Sequence, residues 1–131
     1  MQAKKIVADF AAAQKRLTAA LAVPTENDLI RAGCIQYFEF CFELAWKSIK
    51  VCGAGQGLEM CRSPKRCLKL AFSLEWIADE GIWLEMLAAR NRLTHTYDAS
   101  YALEIYAALP AFLQALDKLL AALEEETFEL R

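Results

Sequence analysis

The chain has 131 residues and a net charge of −2 at neutral pH, with 56% hydrophobic and 24% charged residues. That length suits one domain, residues 1–131, able to bury a core without disulfides or metal, and the near-neutral balance excludes polyanion binding through net charge alone. The high apolar content implies that some apolar surface is buried against another subunit. Charges interrupt every apolar run, so no membrane span is expected. Asp9, Lys15 and Arg16 break any secretory pattern at the N-terminus, which predicts a cytoplasmic protein.

Apolar residues at helical spacing predict a first helix from about Ala3 to Leu21, with Phe10, Leu17 and Leu21 on one stripe. Val23-Pro24-Thr25-Glu26-Asn27 reads as a loop, with Asn27 or Asp28 placed to cap the next helix. The second helix, about Asp28 to Cys52, is the hydrophobic spine: Ile30, Cys34, Tyr37, Cys41, Leu44, Ala45 and Ile49 recur at spacings of three and four. Phe38, Phe42 and Trp46 add a second apolar line. So wide an arc predicts contact with two layers, the chain's own bundle and a partner subunit. Gly53-Ala54-Gly55-Gln56-Gly57 is expected to end the helix as a flexible loop; no Gly-Lys-Ser/Thr follows, so it is not a phosphate loop.

Ser63-Pro64 starts a short helix, with the serine as cap and the proline at the first helical position. Cys67, Leu68, Ala71 and Phe72 are expected inward, with Lys65, Arg66 and Lys69 outward. Asp79 can cap a fourth helix bearing Ile82, Trp83, Met86 and Leu87, which leads into Arg90. Asp98 or Ser100 can cap a last helix from about Tyr101 to Glu125, bent or interrupted at Pro110. With no β-alternating run, the fold class is all-α: an up-and-down bundle of about five helices.

Cys34 and Cys41 lie seven apart in an apolar helix and act as small hydrophobes. Cys52, Cys61 and Cys67 show no C-x-x-C spacing. An odd count and a single histidine predict reduced structural thiols, neither a disulfide framework nor a metal site. Arg62, Lys65, Arg66 and Lys69 cluster mid-chain, while Glu124, Glu125, Glu126 and Glu129 make the tail acidic; both read first as solvated helix faces.

Arg90-Asn91-Arg92-Leu93-Thr94-His95-Thr96-Tyr97-Asp98 holds the one histidine. Positions five apart on a helix point about 140° away from each other. Arg90 and His95 therefore converge only if the helix ends near Leu93 and the chain turns back, or if a second subunit supplies the missing partner. Where they meet, Arg90 can clamp a phosphate. His95 can take a ribose 2′-hydroxyl proton or protonate a leaving oxygen, and Asn91 can orient either. Arg92 and Tyr97 join Arg90 and His95 as candidate substrate contacts. The same residues also suit a plain helix terminus: arginines and a histidine near its last carbonyls, a half-buried Tyr97, and Asp98 as a cap. Trp46, Trp76 and Trp83 read as core or interface.

Ile35-Gln36-Tyr37-Phe38-Glu39-Phe40-Cys41-Phe42-Glu43-Leu44-Ala45-Trp46-Lys47, Ser63-Pro64 and Arg90-Asn91 … His95-Thr96-Tyr97-Asp98 together resemble the nucleotidyltransferase substrate-binding proteins of the wider HEPN group. The resemblance covers nearly the whole chain. It implies a helical homodimer that pairs with a separately encoded minimal nucleotidyltransferase, with metal and nucleotide held by that partner and no cofactor here. The chain lacks a transferase site and is not itself a nucleotidyltransferase. Relatives of this group include ribonuclease toxins whose nucleotidyltransferase partners act as antitoxins. Carried over by residue, Arg90, Asn91 and His95 fall on the metal-independent nuclease motif and Tyr97 on an adenylylated position. Arg92 and Leu93 depart from the motif as usually seen. Three readings follow: a binding and regulatory subunit of a toxin–antitoxin pair, engaging RNA or a nucleotide; a ribonuclease; or a purely structural helical module.

Overall fold

Among the described residues, four of the five helices start where a side chain takes up free amides. Asn27 Oδ1 accepts from Leu29 N at 2.7 Å and Ile30 N at 3.4 Å. Ser63 Oγ accepts from Arg66 N at 3.3 Å, and Asp79 Oδ1 from Ile82 N at 3.2 Å. Asp98 Oδ1 accepts from Ser100 N and Tyr101 N at 2.9 and 3.2 Å. The computed structural model describes residues 2–95 and 98–128. The order is α1 (Gln2–Leu21), α2 (Asp28–Gly55), α3 (Pro64–Ser73), α4 (Glu80–His95) and α5 (Ala99–Phe128). Among the described residues there is no strand.

Helices α1, α2 and α5 pack against one another, and α3 and α4 lie along the remaining sides, so α2 touches all four others. Its wide apolar arc is thus largely consumed within its own chain. Cys34, Phe38, Cys41, Phe42, Ala45 and Ile49 are buried. Phe38 stacks on Phe112 of α5 with centroids 5.3 Å apart, and Phe42 meets Trp83 of α4 at 6.2 Å. Trp76 and Trp83 are core residues. Buried Ser48 of α2 donates to Ile6 O of α1 at 3.4 Å, so its hydroxyl is satisfied inside the bundle.

Several expectations need correction. Helix α2 does not stop at Cys52 but runs to Gly55. A Cβ on Gly53 would meet Leu70 Cδ2 at 2.9 Å, so the missing side chain lets α3 close on the last turns of α2, and that packing outweighs glycine's poor helix propensity. Pro110 does not interrupt α5; Leu109 and Phe112 on either side are buried and hold it in the core. Phe72 points outward at 45% exposure. Cys61 and Cys67 form a disulfide, with Cα atoms 5.2 Å apart, because Cys67 ends the first turn of α3 just beyond the Ser63 cap, within reach of Cys61 in the loop before it. Cys34, Cys41 and Cys52 are free and buried, as expected. Helix α5, with 30 residues, is by length and hydropathy long and apolar enough to cross a bilayer; here Ile105, Leu109, Leu116, Leu119 and Leu123 are buried in the bundle.

Candidate functional site

Helix α4 buries Trp83, Met86 and Ala89 against the bundle, which turns the flank bearing Arg90 towards α2. The guanidinium reaches Glu43 Oε1 with Nε at 2.6 Å and Nη2 at 2.6 Å. Arg90 Nη1 donates to Asn91 Oδ1 at 2.9 Å, and Trp46 Nε1 donates to the other Glu43 oxygen at 2.9 Å. Arginine and carboxylate are each about 30% exposed at the side chain. Arg90 is thereby fixed in direction while its open edge stays in reach of solvent. A guanidinium carries five N–H donors, so donors remain for a phosphate.

Helix α4 continues through Leu93 to His95, so the chain does not turn back to bring His95 onto Arg90. The two point about 140° apart around one continuous helix. Asn91 and His95, four apart, share the exposed face that Leu84 and Ala88 continue. Thr94 Oγ1 donates to Arg90 O at 2.8 Å. Arg92 lies 3.6 Å above the Tyr101 ring centroid and pairs with Asp98 at 3.4 Å. Arg92 is thus tied to the start of α5 rather than held beside Arg90. Tyr97 lies outside the described residues, between Arg92 and its partner Asp98 in sequence.

Glu43 and its neighbour Glu39 carry weight that motif reading overlooks. Glu39 has its carboxyl pushed above the usual range by burial and by the charge of Glu43, with Arg90 pulling the other way. Two carboxylates four apart, one helical turn, are the visible signal that this flank of α2 faces a cation.

A cleft of about 390 Å³ opens where the start of α2, the end of α4 and the start of α5 meet, lined in part by Arg31, Ile35, Glu39, Leu93, Asp98 and Leu103. Arg31 Nη2 donates to Glu26 O at 2.6 Å and Asp28 Oδ1 at 2.8 Å. Leu93 and His95, two apart, face nearly opposite ways, so the cleft and the histidine face lie on different sides of α4.

The bundle and the polar end of α4 together define a small helical protein whose Arg90 guanidinium, held by Glu43 and Asn91, keeps donors free for an anion. The chain belongs to the family described as "Nucleotidyltransferase substrate binding protein like", whose model matches residues 5–125. Among curated proteins it is similar to the "Probable ribonuclease HepT" of Haemophilus influenzae, 32% identical over 91 residues, covering 66% of this chain and 62% of that protein. The match therefore spans less than two thirds of that relative's length. Among solved structures it is similar to a crystal structure of a Thermus thermophilus protein, with TM-score 0.79 and 27% identity over 87% of this chain and 98% of that one. It is also similar to HI0074 of Haemophilus influenzae, described as a substrate-binding domain of a nucleotidyltransferase (TM-score 0.78, 26% identity, 90% and 98% coverage). A mutant of the toxin–antitoxin pair MntA-HpeT shares the fold at TM-score 0.76 and 15% identity, over 94% and 97%.

Proposed function

We propose that this chain is the substrate-binding and regulatory subunit of a toxin–antitoxin-type pair, acting as a homodimer in the cytoplasm with a separately encoded minimal nucleotidyltransferase. The observation that carries the reading is the held Arg90 beside an open Asn91–His95 face, in a chain of this family. Two exposed stripes support dimerisation. On α4 they are Leu84, Ala88, Asn91 and His95; on α2, Leu29, Gln36 and Phe40, with Leu29 80% and Phe40 50% exposed. A twofold contact over these stripes sets the same patch of one copy on that of the other, and so places Arg90 of each chain near His95 of its mate. Tyr97, just beyond α4 in sequence, is the position we assign to adenylylation by the partner.

A second reading follows from the same face: metal-independent cleavage of RNA. One imidazole takes the 2′-hydroxyl proton, the 2′-oxygen bonds to phosphorus, and the bond to the 5′-oxygen breaks. That oxygen leaves with a proton from the mate's imidazolium, which becomes neutral, giving a 2′,3′-cyclic phosphate, while Arg90 holds the phosphate charge.

Co-expression with the nucleotidyltransferase should yield a stable complex, and incubation with ATP and magnesium should add AMP mass to this chain but not to Tyr97→Phe. Separate elution at micromolar concentration overturns the pairing. For the nuclease reading, the purified chain should cut RNA in EDTA and His95→Ala should not; equal cutting by the mutant rejects it.

A further inference from the structure

A cluster of positive charge lies on α3 and just before it. Lys65, Arg66 and Lys69 are exposed on α3, and Arg62, also exposed, stands in the loop one residue before the Ser63 cap, while Cys67, Leu68 and Ala71 fill the buried side of the helix. Residues 60–74 contain these four cations and no acid. The whole chain carries −2, so the rest of it carries −6 once those four charges are set aside.

Among the described residues the ion pairs are Lys5–Asp9, Arg31–Asp28, Arg90–Glu43 and Arg92–Asp98, and none involves α3. Lys65 and Arg66 sit in the first turn of α3, where no acidic residue is found and where the helix dipole disfavours positive charge. Lys65 and Lys69, and Arg66 and Lys69, are like charges at repelling spacings. An anionic partner relieves every one of these terms.

The next turn of the same face carries Phe72, 45% exposed although apolar. Cations in a row that ends on an open aromatic ring suit a single-stranded nucleic acid: phosphates lie along the charges and an unpaired base stacks on the ring. The row is also rigid. Ser63 caps the helix and the Leu70 flank sits against Gly53.

We propose that the outer face of α3, with the loop residue Arg62 just before it, is a docking surface for single-stranded RNA, with Arg62, Lys65, Arg66 and Lys69 on phosphates and Phe72 under a base. The choice of RNA as the polymer rests on the nuclease reading above; the docking itself does not need cleavage. The surface lies on α3 and His95 at the last residue of α4, so a strand bound here must extend beyond α3 to meet the candidate cleavage groups.

The test is fluorescence anisotropy of the full chain with a labelled, 2′-O-methylated single strand of about 20 nucleotides, which cannot be cleaved through its 2′-oxygen and is long enough to span the row of charges. The fourfold variant Arg62→Gln, Lys65→Gln, Arg66→Gln, Lys69→Gln should keep its helical circular dichroism and bind at least about tenfold more weakly. Its slope of log affinity against log salt should be shallower by about 3. Phe72→Ala should weaken binding about fivefold or more with the slope unchanged. Unchanged affinity and slope in the fourfold variant overturn the proposal. So does equal displacement of the strand by polyglutamate, or preferential binding of phosphatidylserine vesicles, through these residues. His95→Ala separates the two ideas: if wild type and mutant alike fail to cut RNA but bind the strand through α3, the nuclease reading falls and the docking surface stands. If cutting depends on His95 and neither binding nor cutting responds to the α3 changes, the docking surface falls alone.

Discussion

Glu43 and Arg90, 47 residues apart in sequence, meet through two contacts of 2.6 Å from one carboxylate oxygen to Nε and Nη2 of the guanidinium. The pair ties the middle of α2 to the end of α4, whose exposed face carries Asn91 and His95. It also sets the direction of Arg90, a candidate phosphate ligand whose side chain is 29% exposed.

Replacing Glu43 with Gln should therefore cost both stability and site geometry. Partners about 30% exposed lie between surface pairs, worth little, and buried ones, costly to break. A loss of roughly 1–2 kcal/mol is expected, seen as a melting temperature lower by a few degrees. Asp9→Asn is the control. Its pair with Lys5 is 77% and 50% exposed, and its loss should stay within about 0.5 kcal/mol. If Glu43→Gln melts like Asp9→Asn, the pair does not fix Arg90.

The free cysteines should be chemically silent in the native chain. Burial, aided by Asp117, pushes the Cys41 thiol up to about 12; burial, aided by Glu126, takes Cys52 to about 11; burial also raises Cys34. Since the thiolate is the nucleophile, Ellman's reagent at pH 8 should find roughly one part in a thousand or less of Cys52 ready to react. All three should react once guanidinium unfolds the chain. Rapid labelling of the native protein would show that the bundle opens locally around α2.

What the sequence made legible was local, and what it hid was tertiary. Asn27, Ser63, Asp79 and Asp98 cap helices because each acts within three residues of its own position, and such chemistry can be read from the chain. Phe72 misleads because the pattern 67, 68, 71, 72 fits an inward stripe; α3 packs on α2 and α4 through only part of that arc. Gly53 reads as a breaker until Leu70 is seen against it. The Arg90 clamp needs Glu43 from another helix, so no spacing within the motif reveals it. For the same reason the divergence of Arg90 and His95 on one helix leaves their meeting to a second copy.

Glu39 should give stability a pH dependence of definite sign. Its carboxyl titrates above the usual range, chiefly through burial and then through Glu43. The folded chain thus holds this proton more tightly than the unfolded one. Stability from this group declines as pH rises from the unfolded value through the raised folded value. Glu39→Gln should flatten that decline and, above it, raise the melting temperature slightly. Partial exposure limits the gain to under about 0.5 kcal/mol. Melting curves of both proteins from acid through neutral pH decide it; parallel curves would remove Glu39 as the titrating group.

Asp98 does two jobs at the start of α5, and two substitutions separate them. Its Oδ1 caps Ser100 N and Tyr101 N, and its Oδ2 meets Arg92 at 3.4 Å, while Arg92 also covers the Tyr101 ring. Asp98→Asn keeps an acceptor for the cap but discards the charge. Because Arg92 and Asp98 are 52% and 41% exposed, the lost pair should cost at most about 0.5 kcal/mol. Asp98→Ala removes the cap as well and should cost about 1 kcal/mol more. Both release Arg92 from its carboxylate. If Arg92 contributes phosphate contact, Asp98→Asn should strengthen binding of a nucleotide or RNA oligomer at low salt, since a carboxylate no longer competes for the guanidinium. Equal affinity in Asp98→Asn and the parent chain would assign Arg92 to the helix junction alone.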